Sequence, residues 1–314
     1  MRWRGRRQSS NVDDLRGGSN SGTGRGGFRF PTGGGSRRGG IRIPMGKRGG
    51  LGSIGTIVVF LVAVFVFDVN PLTLLSGGDV TIGGSGPAPV QPSGNRSSSP
   101  NDDLGQFAAT VLADTEATWS RIFKAAGEDY PEPRLVLFTN QVRSACGFAS
   151  SASGPFYCPG DSQLYIDLAF FDELRSKFDA PGDFAQAYVI AHEVGHHVQN
   201  VMGILSRFHE MRGQLSEADY NALSVRIELQ ADCLAGVWGH SVAQERNYLE
   251  RGDLEEGLNA AAQIGDDAIQ KRTQGYVVPE SFNHGASEQR TRWFRIGFEE
   301  GRMEACDTLN AKRL

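Results

Sequence analysis

Two histidines and a glutamate stand together in His192-Glu193-Val194-Gly195-His196. On a helix, positions i and i+4 share a face, so both imidazoles reach one point and can hold one metal ion. Zn²⁺ favours such nitrogen donors. Glu193, next to the first histidine, is placed to take a proton from water at that ion. With six histidines in 314 residues, chance gives this spacing in roughly one such chain in a hundred. The surrounding Phe184, Tyr188, Ile190, Ala191, Val194 and Val198 are apolar, which predicts a buried helix. Buried imidazoles and carboxylates are costly unless paired or ligated.

A hydrolytic zinc centre takes three protein ligands and keeps a fourth position open. The extended spacing HExxHxxGxxH is excluded, because Gln199 and Met202 stand where glycine and histidine are needed. Downstream, Glu228 and Asp232 lie four apart among apolar Ile227, Leu229, Ala231, Leu234 and Val237. Helical carboxylates are usually solvated, but two buried acids need a cation or strong donors. Glu228 is therefore expected as third ligand, ahead of His209, His240 or Asp232. Asp232 is expected to accept from the distal nitrogen of His192. His197 points roughly 100° away from His196 and is expected to be structural.

These residues need elements to carry them. Leu104, Phe107, Val111, Thr115, Trp119 and Phe123 recur at helical spacing. Residues 134–138 (RLVLF) and 163–167 (QLYID) read as strands. Asp183, with Gln186 three positions on, is expected to cap a helix from Phe184 to about Met202, stopped by Gly203. Ser216 with Asp219, and Asp253 with Glu256, are expected to open two more helices. Arg290, Trp293, Phe294, Gly297, Phe298 and Gly301 outline a last amphipathic helix. Many helices and few strands predict an α+β domain, mostly helical with a small sheet.

Charge and composition divide the chain. Residues 1–50 hold 12 of the 32 Lys+Arg against Asp13 and Asp14, near +10, while the remainder is near −14. Fifteen of the 41 glycines also fall in residues 1–50, so 1–48 is expected to be a disordered cytoplasmic tail. Residues 49–67 carry no charge, and 57–67 (IVVFLVAVFVF) are apolar throughout. Lys47 and Arg48 precede this run and Asp68 follows it. One transmembrane anchor is therefore expected over 49–68, with the N-terminus cytoplasmic and the C-terminal domain extracytoplasmic. A cleaved signal peptide fits less well, because the basic lead is long and no small-x-small site follows. Residues 69–103, rich in Gly, Ser and Pro, read as a flexible linker, and 104–314 as the globular domain. The basic tail is compatible with nucleic acid, which is not expected for the main domain; oligomeric state is not legible. Cys146, Cys158, Cys233 and Cys306 all follow the apolar run and lack CxxC spacing, which favours two disulfides over a zinc site. Three pairings are possible; the local one, Cys146–Cys158, leaves Cys233–Cys306.

The blocks HEVGHHVQN, RIELQADCLAG and FNHGASEQRTRWFRIGFE resemble the bacterial neutral zinc metallopeptidase family with an N-terminal membrane anchor. The resemblance runs from about Leu51 to the C-terminus. It implies a zincin-like domain, zinc, and a peptide or protein substrate. The ligand set also resembles that of the gluzincins, in which Glu of ExxxD completes the metal site and the Asp supports the first His. Those roles fall on Glu228 and Asp232. In gluzincins a distant His or Tyr donates to the oxyanion, a role open to His284, which otherwise caps the last helix. The expected function is that of a membrane-anchored zinc endopeptidase. Its rivals are a tethered binding or assembly protein with structural zinc, and a zinc hydrolase of cell-wall amides.

Overall fold

The computed structural model describes residues 1–16 and 100–314. Its first element, strand β1 (Val12–Asp14), falls inside the segment expected to be disordered. That expectation is corrected for residues 1–16: Met1, Trp3 and Val12 are buried in the main core, and β1 pairs in parallel with β2 (Arg134–Phe138). The reason lies in composition at finer grain. Apart from Gly5, the glycines of the tail begin at Gly17, so residues 1–16 keep apolar side chains to bury. The remainder of the expected tail, the apolar run at 49–67 and the linker up to residue 99 lie outside the described residues. Among the described residues no helix is long and apolar enough to cross a membrane.

Strands β3 (Gln141–Ser144) and β4 (Gly147–Ser150) form a separate hairpin. Strand β5 (Phe156–Cys158) then turns back antiparallel onto β6 (Gln163–Asp167), which is itself parallel to β2. The main sheet thus runs β1-β2-β6-β5. The two strands legible in the sequence are its centre, buried on both faces, which accounts for their continuous apolar character. Strands β2 and β5 flank β6, so the free edge on that side of the sheet belongs to β5.

Eight helices carry the rest among the described residues. Helix α1 (Asp103–Ala126) is capped by Asp102, whose side chain accepts from the Gly105 amide. It is followed by α2 (Ala169–Ser176), α3 (Asp183–Val201), α4 (Ile204–Glu210) and α5 (Glu217–His240). Then come α6 (Asp253–Gln263), α7 (Asp266–Gln274) and α8 (Ser287–Glu300). Ser216 caps α5 as expected. Asp183 and Asp253 do not cap: Gly182 and Gly252 hold those positions, and each aspartate is the first helical residue. Both instead meet the Met1 ammonium, at 2.5 Å and 3.2 Å.

The α+β architecture, mostly helical with a small sheet, is as expected. Helix α3 is its hub, packed against α1, α5, α6, β5 and β6. Helix α8 lies on α5 so closely that a Cβ at Gly297 would fall inside contact distance of the Cys233 backbone. The cysteines pair Cys146–Cys158, joining the hairpin turn to β5, and Cys233–Cys306, joining α5 to the C-terminal segment.

Candidate metal centre

Helix α3 presents His192 and His196 one turn apart, their rings 4.8 Å between centroids. Helix α5 comes close to them because position 195 has no side chain. A Cβ there would lie 2.9 Å from the carbonyl oxygen and 3.1 Å from the Cα of Ala231. At that separation Glu228 reaches both rings, with Oε2 3.2 Å from His192 Nε2 and Oε1 3.5 Å from His196 Nε2. One donor atom from each of the three lies within 4.8 Å of the others.

Both imidazoles are oriented from behind. Asp232 Oδ1 accepts from His192 Nδ1 at 2.8 Å, from the Tyr188 hydroxyl at 2.5 Å and from Arg290 Nη2 at 2.9 Å. Its Oδ2 accepts from Arg290 Nε at 2.9 Å. Gln199 does the same for His196. Its Nε2 donates to the Ile227 carbonyl at 2.7 Å and to Gln230 Oε1 at 3.0 Å, which turns Oε1 toward His196 Nδ1 at 2.9 Å. With each Nδ1 engaged, each Nε2 is left to face Glu228.

The charges are tightly balanced. Burial opposes charge on His192, but Asp232 and Glu228 outweigh it and push the imidazole up to about 10. His196 is raised against the same penalty by Glu228. Burial also opposes ionisation of the acids. The two imidazoles nevertheless hold Glu228 well below the usual carboxylate range, and Arg290 with His192 holds Asp232 at about 2. The protons on these histidines are those a metal ion would displace. Two imidazole nitrogens and a carboxylate oxygen suit zinc in both donor type and number.

A cleft of about 510 Å³ opens over the group, lined by His192, Glu193, His196, Glu228, His284 and Arg290. Phe170, Phe178, Val189, Ile264 and Ile269 give it an apolar wall, and Phe156 and Tyr157 bring in the edge strand β5. Glu193 lines the cleft and is nearly buried, and its carboxylate makes no hydrogen bond or ion pair with any described residue.

His284 enters from the loop before α8 and does not cap it; the cap position is Ala286. Asp266 Oδ2 accepts from the amides of Asn283, His284 and Gly285 at 2.9, 2.7 and 2.9 Å. Its Oδ1 lies 3.2 Å from His284 Nδ1. Burial disfavours charge on His284, but Asp266 and Glu228 outweigh it and raise its pKa.

The other histidines stand apart. His197 donates to the Pro131 carbonyl at 2.6 Å and accepts from the Tyr157 hydroxyl at 3.0 Å, the structural role expected. His240 donates to the Phe298 carbonyl at 2.8 Å, and His209 lies on α4. Arg290, Gln199, Tyr188 and Asp266 had no assigned site role from the sequence. For Arg290 a signal existed: it is the charged member of the buried stripe Arg290, Trp293, Phe294 and Gly297. Asp266 and Gln199 had none, since the groups that hold Asp266, and those that aim Gln199 at His196, are tertiary.

Comparison with known proteins gives a consistent picture. A family model described as "Putative neutral zinc metallopeptidase" matches residues 1–309. An uncharacterized Escherichia coli K12 protein, YpfJ, is 47% identical over 311 residues, covering 98% of this chain and 99% of the relative. An uncharacterized Mycobacterium tuberculosis protein is 41% identical over 222 residues, covering 68% of this chain and 74% of its own. No solved structure matches.

Proposed function

The chain belongs to the family described as putative neutral zinc metallopeptidase, and from that premise we propose that it is a zinc-dependent endopeptidase. The observation that carries this reading is the convergence of His192, His196 and Glu228 within 4.8 Å, beside the unengaged carboxylate of Glu193 in an open cleft. Zinc held by those three side chains would supply a Lewis acid and lower the pKa of bound water from 15.7 to about 7.

The chain's own groups do the rest. Glu193 accepts the proton of the attacking water and passes it to the departing amine nitrogen. Positioned acid–base help of this kind is worth about 10²–10⁴ in rate, or roughly 3–5 kcal/mol. His284, whose charged form is favoured by Asp266, donates toward oxygen as negative charge develops on the scissile carbonyl. Asp232 and Gln199 fix the two imidazoles so that no reorganisation accompanies the step. An extended peptide lies along the free edge of β5 by strand addition, with a side chain directed to the apolar wall. A purely structural zinc site is less well supported, since such sites are usually closed by four ligands rich in Cys. All four cysteines here are in disulfides. These disulfides favour an oxidising, extracytoplasmic setting for the domain, and the apolar run at 49–67 favours attachment to a membrane.

The test uses the full chain, oxidised and loaded with zinc, against a peptide library. Wild type should cleave. Glu193→Gln should keep its zinc and lose at least about 100-fold in turnover. Equal turnover by both would remove Glu193 from the chemistry, and no cleavage by wild type would remove the peptidase reading.

A further inference from the structure

We infer that residues 1–16 and residues 100–314 occupy the same compartment, the N-terminal segment being a strap that completes the folded domain. This goes beyond the peptidase reading and does not depend on it. It replaces the single-crossing topology expected from the apolar run, in which the two would face opposite sides of a membrane.

The strap supplies partners to acids that the domain buries. Helix α1 turns Asp114 and Glu116 inward, with side chains 8% and 1% exposed. Every hydrogen-bond partner of the Glu116 carboxylate among the described residues comes from the strap: Arg7 Nη2 at 2.8 Å, Asn11 Nδ2 at 2.9 Å and the Ser9 hydroxyl. Asp114 pairs with Arg6, which also stacks over the Tyr248 ring, and more distantly with Arg246. A buried carboxylate without such partners is strongly unfavourable. The domain's sequence therefore presupposes the arginines.

The contact is also a backbone contact, spread over the whole strap. The Arg2 amide donates to the Tyr248 carbonyl at 2.8 Å, and the Ser9 amide to Ala109 at 2.9 Å. The Leu135 amide donates to Asn11, and the Leu15 amide to Leu137, each at 2.8 Å. Trp3 packs edge-on against Phe107, with centroids 5.5 Å apart. The Met1 ammonium reaches Asp183, at the start of the helix that carries the two metal-facing histidines, at 2.5 Å.

The last contact fixes the topology. Arg16 Nη2 lies 2.5 Å from Asp102 Oδ2, although the two residues are 86 apart in sequence. Asp102 is also the cap of α1. The connection between them therefore leaves and re-enters the domain side by side. A path that crossed a bilayer once could not do so, because its ends would be separated by roughly 30 Å of hydrocarbon.

The experiment labels the full chain in intact cells with a membrane-impermeant maleimide. Ser10→Cys and Glu128→Cys are made singly; both positions are exposed, and the native cysteines are all in disulfides. The two variants should behave alike, both labelling in intact cells or both only after lysis. Opposite behaviour would overturn the shared compartment. In a third variant, Asp13→Cys with Arg134→Cys, a short bismaleimide added to the isolated membranes should join the two positions. Their native side chains meet at 2.6 Å. No cross-link in chains whose two singles label alike would overturn the strap.

Discussion

Asp232 is fully buried and accepts from three residues at once, so its charge is balanced locally. Arg290→Met would remove the cation and strand the carboxylate, at a cost of about 3–5 kcal/mol. The double variant Asp232→Asn with Arg290→Met removes both charges, and should recover a large part of that loss in urea denaturation. Zinc affinity should not recover, because the amide orients His192 more weakly. Chelator competition should read about 10–100-fold weaker binding in Asp232→Asn and in the double variant alike. Recovery of both quantities together would mean that Asp232 serves only to balance Arg290. Acid titration of the metal-free protein gives a sign. The folded carboxylate sits at about 2, below its ordinary 3.8. Its contribution is therefore present above pH 3.8 and lost as pH falls through about 2. The double variant should lack that component of acid unfolding. At this scale the convergence of the candidate site was partly legible, because helical spacing puts His192 with His196, and Glu228 with Asp232, on one stripe of each helix. Gln199 and Asp266 were not: Gln199 stands only three residues from His196, but the Ile227 and Gln230 groups that aim it there, like the amides that Asp266 accepts from, lie 17 or more residues away.

The separation of α3 and α5 sets whether those stripes can meet. Gly195→Ala should favour the helix by propensity, by about 1 kcal/mol. The added Cβ would nevertheless meet Ala231 backbone atoms at 2.9 and 3.1 Å, and backbone cannot rotate away as a side chain can. A net loss of about 1–3 kcal/mol is expected. The loss should be accompanied by weaker zinc binding, since Glu228 rides on the helix that is displaced. Unchanged affinity and a gain in stability would show that the helices have slack. Elements were legible where their pattern was long or wholly apolar: the central strands β2 and β6 match the expected 134–138 and 163–167. The hairpin β3–β4 and the edge strand β5 were not, being only three or four residues long, with a small apolar cluster shared with β2 and β6 and a disulfide holding them. Strand β1 was hidden by averaging its residues with the glycines that follow it.

At the scale of the molecule, three devices bring distant parts of the chain together: the strap and two disulfides. The disulfides differ in what they close. Cys146–Cys158 spans 12 residues, and Cys233–Cys306 spans 73. In the chain-entropy account these loops are worth about 3 and about 4 kcal/mol at 25 °C. The longer one also sits where α8 lies directly against α5, with Gly297 against the Cys233 backbone, and α8 is the helix that supplies Arg290. Losing it should therefore loosen the Arg290–Asp232 contact as well as the fold. Cys233→Ala with Cys306→Ala should lower the urea midpoint more than Cys146→Ala with Cys158→Ala, and should weaken zinc binding where the local pair does not. The local pair tethers β5, so its loss should instead fall on peptide turnover, through the strand edge on which substrate is proposed to lie. Equal effects of the two pairs on zinc affinity would show that α8 keeps its place without the covalent link, leaving the glycine contact and the Arg290 ion pair to hold it.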